Sequence, residues 1–173
     1  MFKKLNFSTT DIIQDPYSCR GNMTMNYDDV FIEYSIRNER DFLQKVQELV
    51  TFDKLPDNIN FTEIKLNGPK PHTDASPTAL NFYLDVDTND STVFFEESNY
   101  NNQKRVLKSY PRESLVEVDR FVAQPYDVYL LNTHKIHVVD VSNKNAKRAM
   151  IRFLWMHKTF EEVLQGIKIK APR

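Results

Sequence analysis

The sequence is poor in the residues from which many ligand sites are built. It holds 3 glycines in 173 residues, and no G-x-G-x-x-G or G-x-x-x-x-G-K pattern occurs, so the Rossmann and P-loop readings fail. A single cysteine, Cys19, excludes an internal disulfide and a thiolate zinc centre. No apolar run approaches the roughly 18 residues of a membrane-spanning helix. The opening MFKKLNFSTTD has no apolar stretch of signal-peptide length. These absences predict a protein of the host or bacterial cytoplasm, with no membrane partner. Neither sign of charge dominates: 23 Lys+Arg against 24 Asp+Glu give −1. That removes the simplest electrostatic case for a nucleic-acid binder, and no nucleic-acid partner is expected.

What is present is a globular composition, 40% hydrophobic and 12% aromatic, on a chain long enough to bury a real core. YDDVFIEYSI (27–36) reads as a strand with Val30, Ile32 and Tyr34 on one face. A helix follows from the N-cap Asn38 to about Val50, with Leu43, Val46 and Val50 at helical spacing. INFTEIKL (59–66) alternates as a strand closed by Asn67-Gly68-Pro69. ALNFYLDV (79–86) and STVFFEE (91–97) read as hairpin partners across Asp87-Thr88-Asn89-Asp90. The polar stretch 98–110 is expected to be a loop. Further strands lie within 113–123, at 128–132, at 137–139 and at 149–156, with a turn at Ser142–Asn145. Thr159-x-x-Glu162 is a capping box that starts a short C-terminal helix.

About seven short strands need two facing sheets to bury their apolar sides. The expected fold is therefore mainly β, a jelly roll (double-stranded β-helix, cupin-like) with one or two packing helices. It is expected to form one domain. Residues 1–58 would support it as a strand and helix, 59–157 would form the jelly-roll core, and 158–173 would be a C-terminal helix and tail.

Four histidines are the main chemical resource. In P-H72-T-D74 the extended backbone puts residues i and i+2 on one face, so His72 and Asp74 point the same way, about 7 Å apart. An imidazole and a carboxylate on one face can chelate a divalent metal. A third ligand from another strand completes the triangular face suited to non-haem Fe(II) and O2. His137, 65 residues on and at the start of a strand, is the candidate, with His134 as the fallback. Arg148 opens the next strand. An arginine inside a small cavity costs several kcal/mol unless it faces an anion, which predicts a carboxylate ligand gripped by the guanidinium fork.

The set H72-T-D74, H137 and R148, in that order and strand context, resembles the iron(II)/2-oxoglutarate-dependent dioxygenase superfamily. The likeness is to its small prolyl-hydroxylase-like members of phages and marine bacteria, and covers about residues 60–160. It implies that His72, Asp74 and His137 hold Fe(II), and that Arg148 binds the distal carboxylate of 2-oxoglutarate. Arg152, of the same parity, is a rival anchor. Asn81 and Tyr83 share a strand face and would line the cosubstrate or substrate pocket. The implied activity is hydroxylation of an unactivated C–H of a peptide side chain, amino acid or small metabolite. O2 and 2-oxoglutarate are consumed and succinate and CO2 released. Two other readings stand beside it: a cupin-type metal enzyme, although no H-x-H is present, and a non-catalytic jelly-roll or phage-associated module with a vestigial metal site.

The remaining candidates have plainer expected roles. His134 reads as a loop residue and His157 as surface or packing. Tyr83, Tyr129 and Trp155 are core types. Cys19 has no neighbour to activate it. Glu96-Glu97 reads as a solvated strand end, and Lys104, Arg105 and Lys108 as a solvated loop.

Overall fold

In the computed structural model, which describes residues 1–10, 12–27, 30–65, 70–98, 109–141 and 148–170, the short apolar runs become antiparallel strands. They are β1 (Phe2–Leu5), β2 (Arg20–Tyr27), β3 (Phe31–Ile36), β4 (Val50–Phe52), β5 (Asn58–Ile64), β6 (Thr78–Asp85), β7 (Ser91–Glu97), β8 (Leu115–Phe121), β9 (Val128–Asn132), β10 (Ile136–Asp140), β11 (Arg148–Trp155) and β12 (Ile167–Ile169). The α-helices are α1 (Glu39–Leu49) and α2 (Phe160–Gly166), and a 3-10 turn spans Arg112–Ser114. Seven strands form a large sheet in the order β1-β9-β6-β11-β5-β3-β2. A second sheet is β10-β7-β8, and β12-β4 form a two-stranded ribbon. The fold is mainly β, a jelly-roll-like sandwich of antiparallel sheets with two helices.

The central strands β6 and β11 are buried on both faces, which is why their sequences read as continuous apolar runs rather than as alternation. One set of their side chains, including Leu80, Phe82, Ile151, Phe153 and Trp155, packs toward Phe42 and Val46 of α1 and Val163 of α2. Phe42 and Val46, four residues apart, give α1 one apolar stripe facing the sheet. Burying each such side chain contributes about 1.5–3 kcal/mol. The other set, including Tyr83 and Met150, packs toward Phe94 of β7 and Phe121 of β8. Arg148, Arg152 and Asn81 belong to this second set. Polar groups at such positions are costly unless something satisfies them.

The hairpin expected between residues 79–86 and 91–97 does not form. Both edges of β6 are already filled, by β9 and β11, so residues 87–90 carry the chain to the second sheet, where β7 pairs with β8 and β10. The strand expected over 27–36 is also two elements. Tyr27 ends β2, Val30 lies in the turn, and β3 begins at Phe31. β2 carries no burial pattern to betray it, because most of RGNMTMNY is exposed. The three- and four-residue strands β1, β4 and β12 were equally unmarked, and they bring the described strands to twelve against the expected seven or so. Asn38 precedes α1 but does not cap it with its side chain. It sits at φ 54°, ψ 47°, the left-handed region that asparagine tolerates.

The capping box of α2 is present: Thr159 Oγ1 accepts from the Glu162 amide at 3.3 Å, and Glu162 Oε2 accepts from the Thr159 amide at 2.8 Å. Most of the expected 98–110 loop, with Lys104, Arg105 and Lys108, lies outside the described residues, as do the Ser142–Asn145 turn and Asn67-Gly68-Pro69. Among the described residues no helix is long and apolar enough to cross a membrane.

Candidate metal centre

His72 follows β5 and His137 is the second residue of β10. The two backbones are directly opposed. The His72 amide donates to the His137 carbonyl at 3.0 Å and the His137 amide to that of His72 at 2.9 Å. Residues that exchange both bonds of an antiparallel pair project to the same side. The two imidazoles therefore meet, with ring centroids 4.6 Å apart. The Asp74 amide donates to the Thr133 carbonyl at 2.9 Å, which fixes the third side chain against them. One ligand atom from each of His72, Asp74 and His137 falls within 4.8 Å of the others, a cluster able to hold a metal ion.

The protonation pattern of the cluster favours a cation. His72 Nδ1 lies 2.8 Å from the Lys70 carbonyl and His137 Nδ1 lies 2.9 Å from the Lys135 carbonyl. A carbonyl only accepts, so both Nδ1 atoms carry hydrogen and both Nε2 atoms turn toward Asp74. Asp74 Oδ1 lies 3.1 Å from His72 Nε2 and 3.8 Å from His137 Nε2. Two ring nitrogens and a carboxylate oxygen converging at this range can share a proton or hold a metal between them. Burial holds His137 neutral, its pKa pushed down from 6.5 to about 4 against the opposing pull of Asp74. Burial alone would raise the pKa of Asp74. The Arg152 charge and the His72 contact outweigh it, and the carboxyl is held well below its ordinary range.

Arg148 is 2% exposed, with its guanidinium 4.7 Å from the Tyr83 ring centroid. Its Nη2 donates to Thr92 Oγ1 at 3.1 Å, while Nε and Nη1 have no partner among the described residues. Asn81 Nδ2 donates to the Tyr83 hydroxyl at 3.3 Å, and Asn81 Oδ1 is buried without a partner among the described residues. Thr92 lies two residues before Phe94, which pairs with His137 and stands 5.9 Å from its ring. Thr92, which Arg148 contacts, is thus about 7 Å along the strand from Phe94, which lies against His137. Arg152 is used differently: its Nη2 donates to Asp74 Oδ2 at 2.5 Å, leaving Oδ1 to face the histidines.

The structure therefore brings His72, Asp74 and His137 together, groups Arg148, Asn81 and Tyr83 beside them, and ties Arg152 to Asp74. His134 and His157 are exposed and outside the cluster. Sequence reasoning missed Thr92 and Phe94. Their signal was present in STVFFEE, where Thr92 and Phe94 share parity, but it stayed silent while β7 was placed beside β6. Cys19 is half-buried, and burial pushes its thiol pKa up, as suits an unreactive side chain.

No family model matches the chain, and no curated protein matches it. It is similar to a solved structure described as the X-ray structure of E. coli ycfD, with a TM-score of 0.50 and 13% identity. The match covers 88% of this chain and 48% of that one, so the chain spans about half the length of this neighbour. At that identity the likeness concerns the fold alone, and it agrees with the mainly β, jelly-roll-like architecture.

Proposed function

We propose that the protein is an Fe(II)- and 2-oxoglutarate-dependent dioxygenase that hydroxylates a C–H bond of a peptide side chain, an amino acid or a small metabolite. The observation that carries this reading is a desolvated arginine with two unfilled donors close to a His–Asp–His cluster whose acceptor atoms converge. His72 Nε2, Asp74 Oδ1 and His137 Nε2 would hold the iron, a donor set of the 2-His-1-carboxylate type. Arg148 would take the distal carboxylate of 2-oxoglutarate through charge-assisted hydrogen bonds from its unfilled donors. Bound Fe(II), 2-oxoglutarate and O2 together supply oxidative decarboxylation coupled to hydroxylation, with succinate and CO2 released.

The chain's own residues do the rest. The Lys70 and Lys135 carbonyls fix the tautomer and ring plane of each histidine. Arg152 keeps Asp74 ionised and presents one oxygen. Tyr83 and Phe94, both essentially fully buried, exclude water from the wall between cluster and anchor. Asn81 Oδ1 offers an acceptor to a donor on a bound molecule.

Anaerobic addition of Fe(II) and 2-oxoglutarate tests the reading. A weak visible charge-transfer band is expected for the native protein and should vanish in His72→Ala and Asp74→Asn. A band that survives in both variants, or is missing from the native protein, refutes the proposal.

A further inference from the structure

The face of the large sheet that carries Arg148, Arg152 and Asn81 extends beyond the cover of the second sheet. Phe94 and Phe121 of the second sheet pack over β6, β9 and β11. Past β11 the same face continues. On β5, Asn60 stands opposite Arg152, Thr62 opposite Met150 and Ile64 opposite Arg148. On β3, Glu33 stands opposite Thr62 and Phe31 opposite Ile64. On β2, Met25 stands opposite Glu33 and Tyr27 opposite Phe31. Opposed residues of antiparallel strands share a face, so these side chains form one strip leading out from the metal centre. Arg152 joins strip and centre, its guanidinium bound to Asp74 and 6.0 Å from the Phe31 ring.

Three properties of this strip define what it fits. First, its outer end is apolar and open: Met25 is 51% and Tyr27 66% exposed, Phe31 and Ile64 are half-buried, and Thr62 between them and β11 is buried. Second, it carries a carboxylate with no countercharge among the described residues. Glu33 is half-buried and accepts from Asn60 Nδ2 at 3.1 Å, and among the described residues no cation pairs with it. Third, it is long. From β11 to β2 are three strand spacings, about 14 Å, which matches about four residues of extended chain. It ends at β2, whose outer edge has no strand partner among the described residues.

We infer that this strip binds an extended polypeptide segment with apolar side chains and one basic residue, the basic group pairing with Glu33. The inference deepens the dioxygenase reading and rests on it for the fate of the bound segment, since it assigns the peptide among the substrate classes that reading leaves open. Glu33 stands two strand spacings from β11, about 10 Å. The basic residue would therefore lie about three residues from the one that reaches His72, Asp74 and His137.

The test is fluorescence anisotropy on the metal-free protein, which separates it from the iron experiment. The probes are three labelled eleven-residue peptides of alternating valine and threonine, with a central lysine, norleucine or glutamate. The lysine peptide should bind best. Glu33→Gln should weaken it about tenfold and erase its advantage over norleucine, and Glu33→Lys should transfer the preference to the glutamate peptide. Met25→Ser with Tyr27→Ser should weaken the lysine and norleucine peptides alike. Thermal unfolding establishes that each variant is folded. Equal binding of the three peptides, no binding of any, an unchanged Glu33→Gln profile, or competition by lysine amide as effective as by the peptide would each overturn the inference. A charge-transfer band absent from the native protein, with peptide discrimination intact, would refute the dioxygenase reading alone.

Discussion

Replacing Arg148 by methionine separates stability from function at a single position. Arg148 is buried on β11 and, among the described residues, makes one hydrogen bond, to Thr92, and one ring contact, to Tyr83. Its two unpartnered donors each cost about 1–3 kcal/mol, so about 2–6 kcal/mol of penalty is held there. Against this stand the charged hydrogen bond, about 1.5–3 kcal/mol, and the cation–ring attraction, about 1–2 kcal/mol. The two sides nearly cancel. Methionine keeps most of the stem's packing, so Arg148→Met is expected to change ligand-free stability by no more than about 1 kcal/mol, or to raise it. Truncating an ordinary buried side chain costs about 2–5 kcal/mol.

The cost should appear when ligand is added. At a hundredfold excess over Kd, 2-oxoglutarate should stabilise the Fe(II)-loaded native protein by about 2.7 kcal/mol. For a chain of this size that corresponds to a Tm rise of about 5–11 °C. Arg148→Met should show almost none of it. Anaerobic thermal melts with and without 2-oxoglutarate measure both quantities. A ligand-free loss of about 3 kcal/mol or more would mean that the guanidinium is satisfied in the interior, and an undiminished ligand shift would place the anchor elsewhere. Either result refutes the reasoning.

Two further outcomes are expected. His137 has a folded pKa of about 4 against 6.5 unfolded, so between those values the unfolded chain takes up a proton that the folded chain refuses. Its contribution, about 3 kcal/mol, is complete above about pH 6.5 and is lost as pH falls to about 4. Denaturant titrations of chelator-treated protein across that window should show the loss, and an equally steep loss in His137→Gln would contradict it. Arg152→Met leaves the Asp74 carboxylate, 16% exposed, without its main countercharge. It should cost about 2–3 kcal/mol, less than the 3–5 typical of a fully buried pair. Fe(II) should restore more of the stability of this variant than it adds to the native protein. A metal-free cost below about 1 kcal/mol would show that the pair does not hold Asp74.

The elements legible in the sequence were those whose pattern follows from their own burial. β9 and β11, buried along their length, stand out as apolar runs, and the α2 capping box is a local hydrogen-bond exchange that needs nothing from the rest of the chain. β2 was illegible because an exposed edge strand has no reason to alternate. The pairing of β7 was illegible because strand partners depend on which edges are filled elsewhere. At the site, the shared face of His72 and Asp74 follows from strand period alone.

Composition and spacing by themselves determined that the chain lacks phosphate loops and thiolate metal sites. They also singled out His72, Asp74, His137 and Arg148 as its chemical resource and favoured a β-rich roll. Only the tertiary structure decided that Arg152 serves Asp74 while Arg148 keeps empty donors. The two arginines have the same parity on the same strand, and what separates them is which element of the other layer lies above each: the Asp74 segment over one, Thr92 of β7 over the other. The strip running to Met25 and Tyr27 is likewise a product of register across four strands. No local signal encodes it, because residues far apart in sequence share a face only once the sheet has formed.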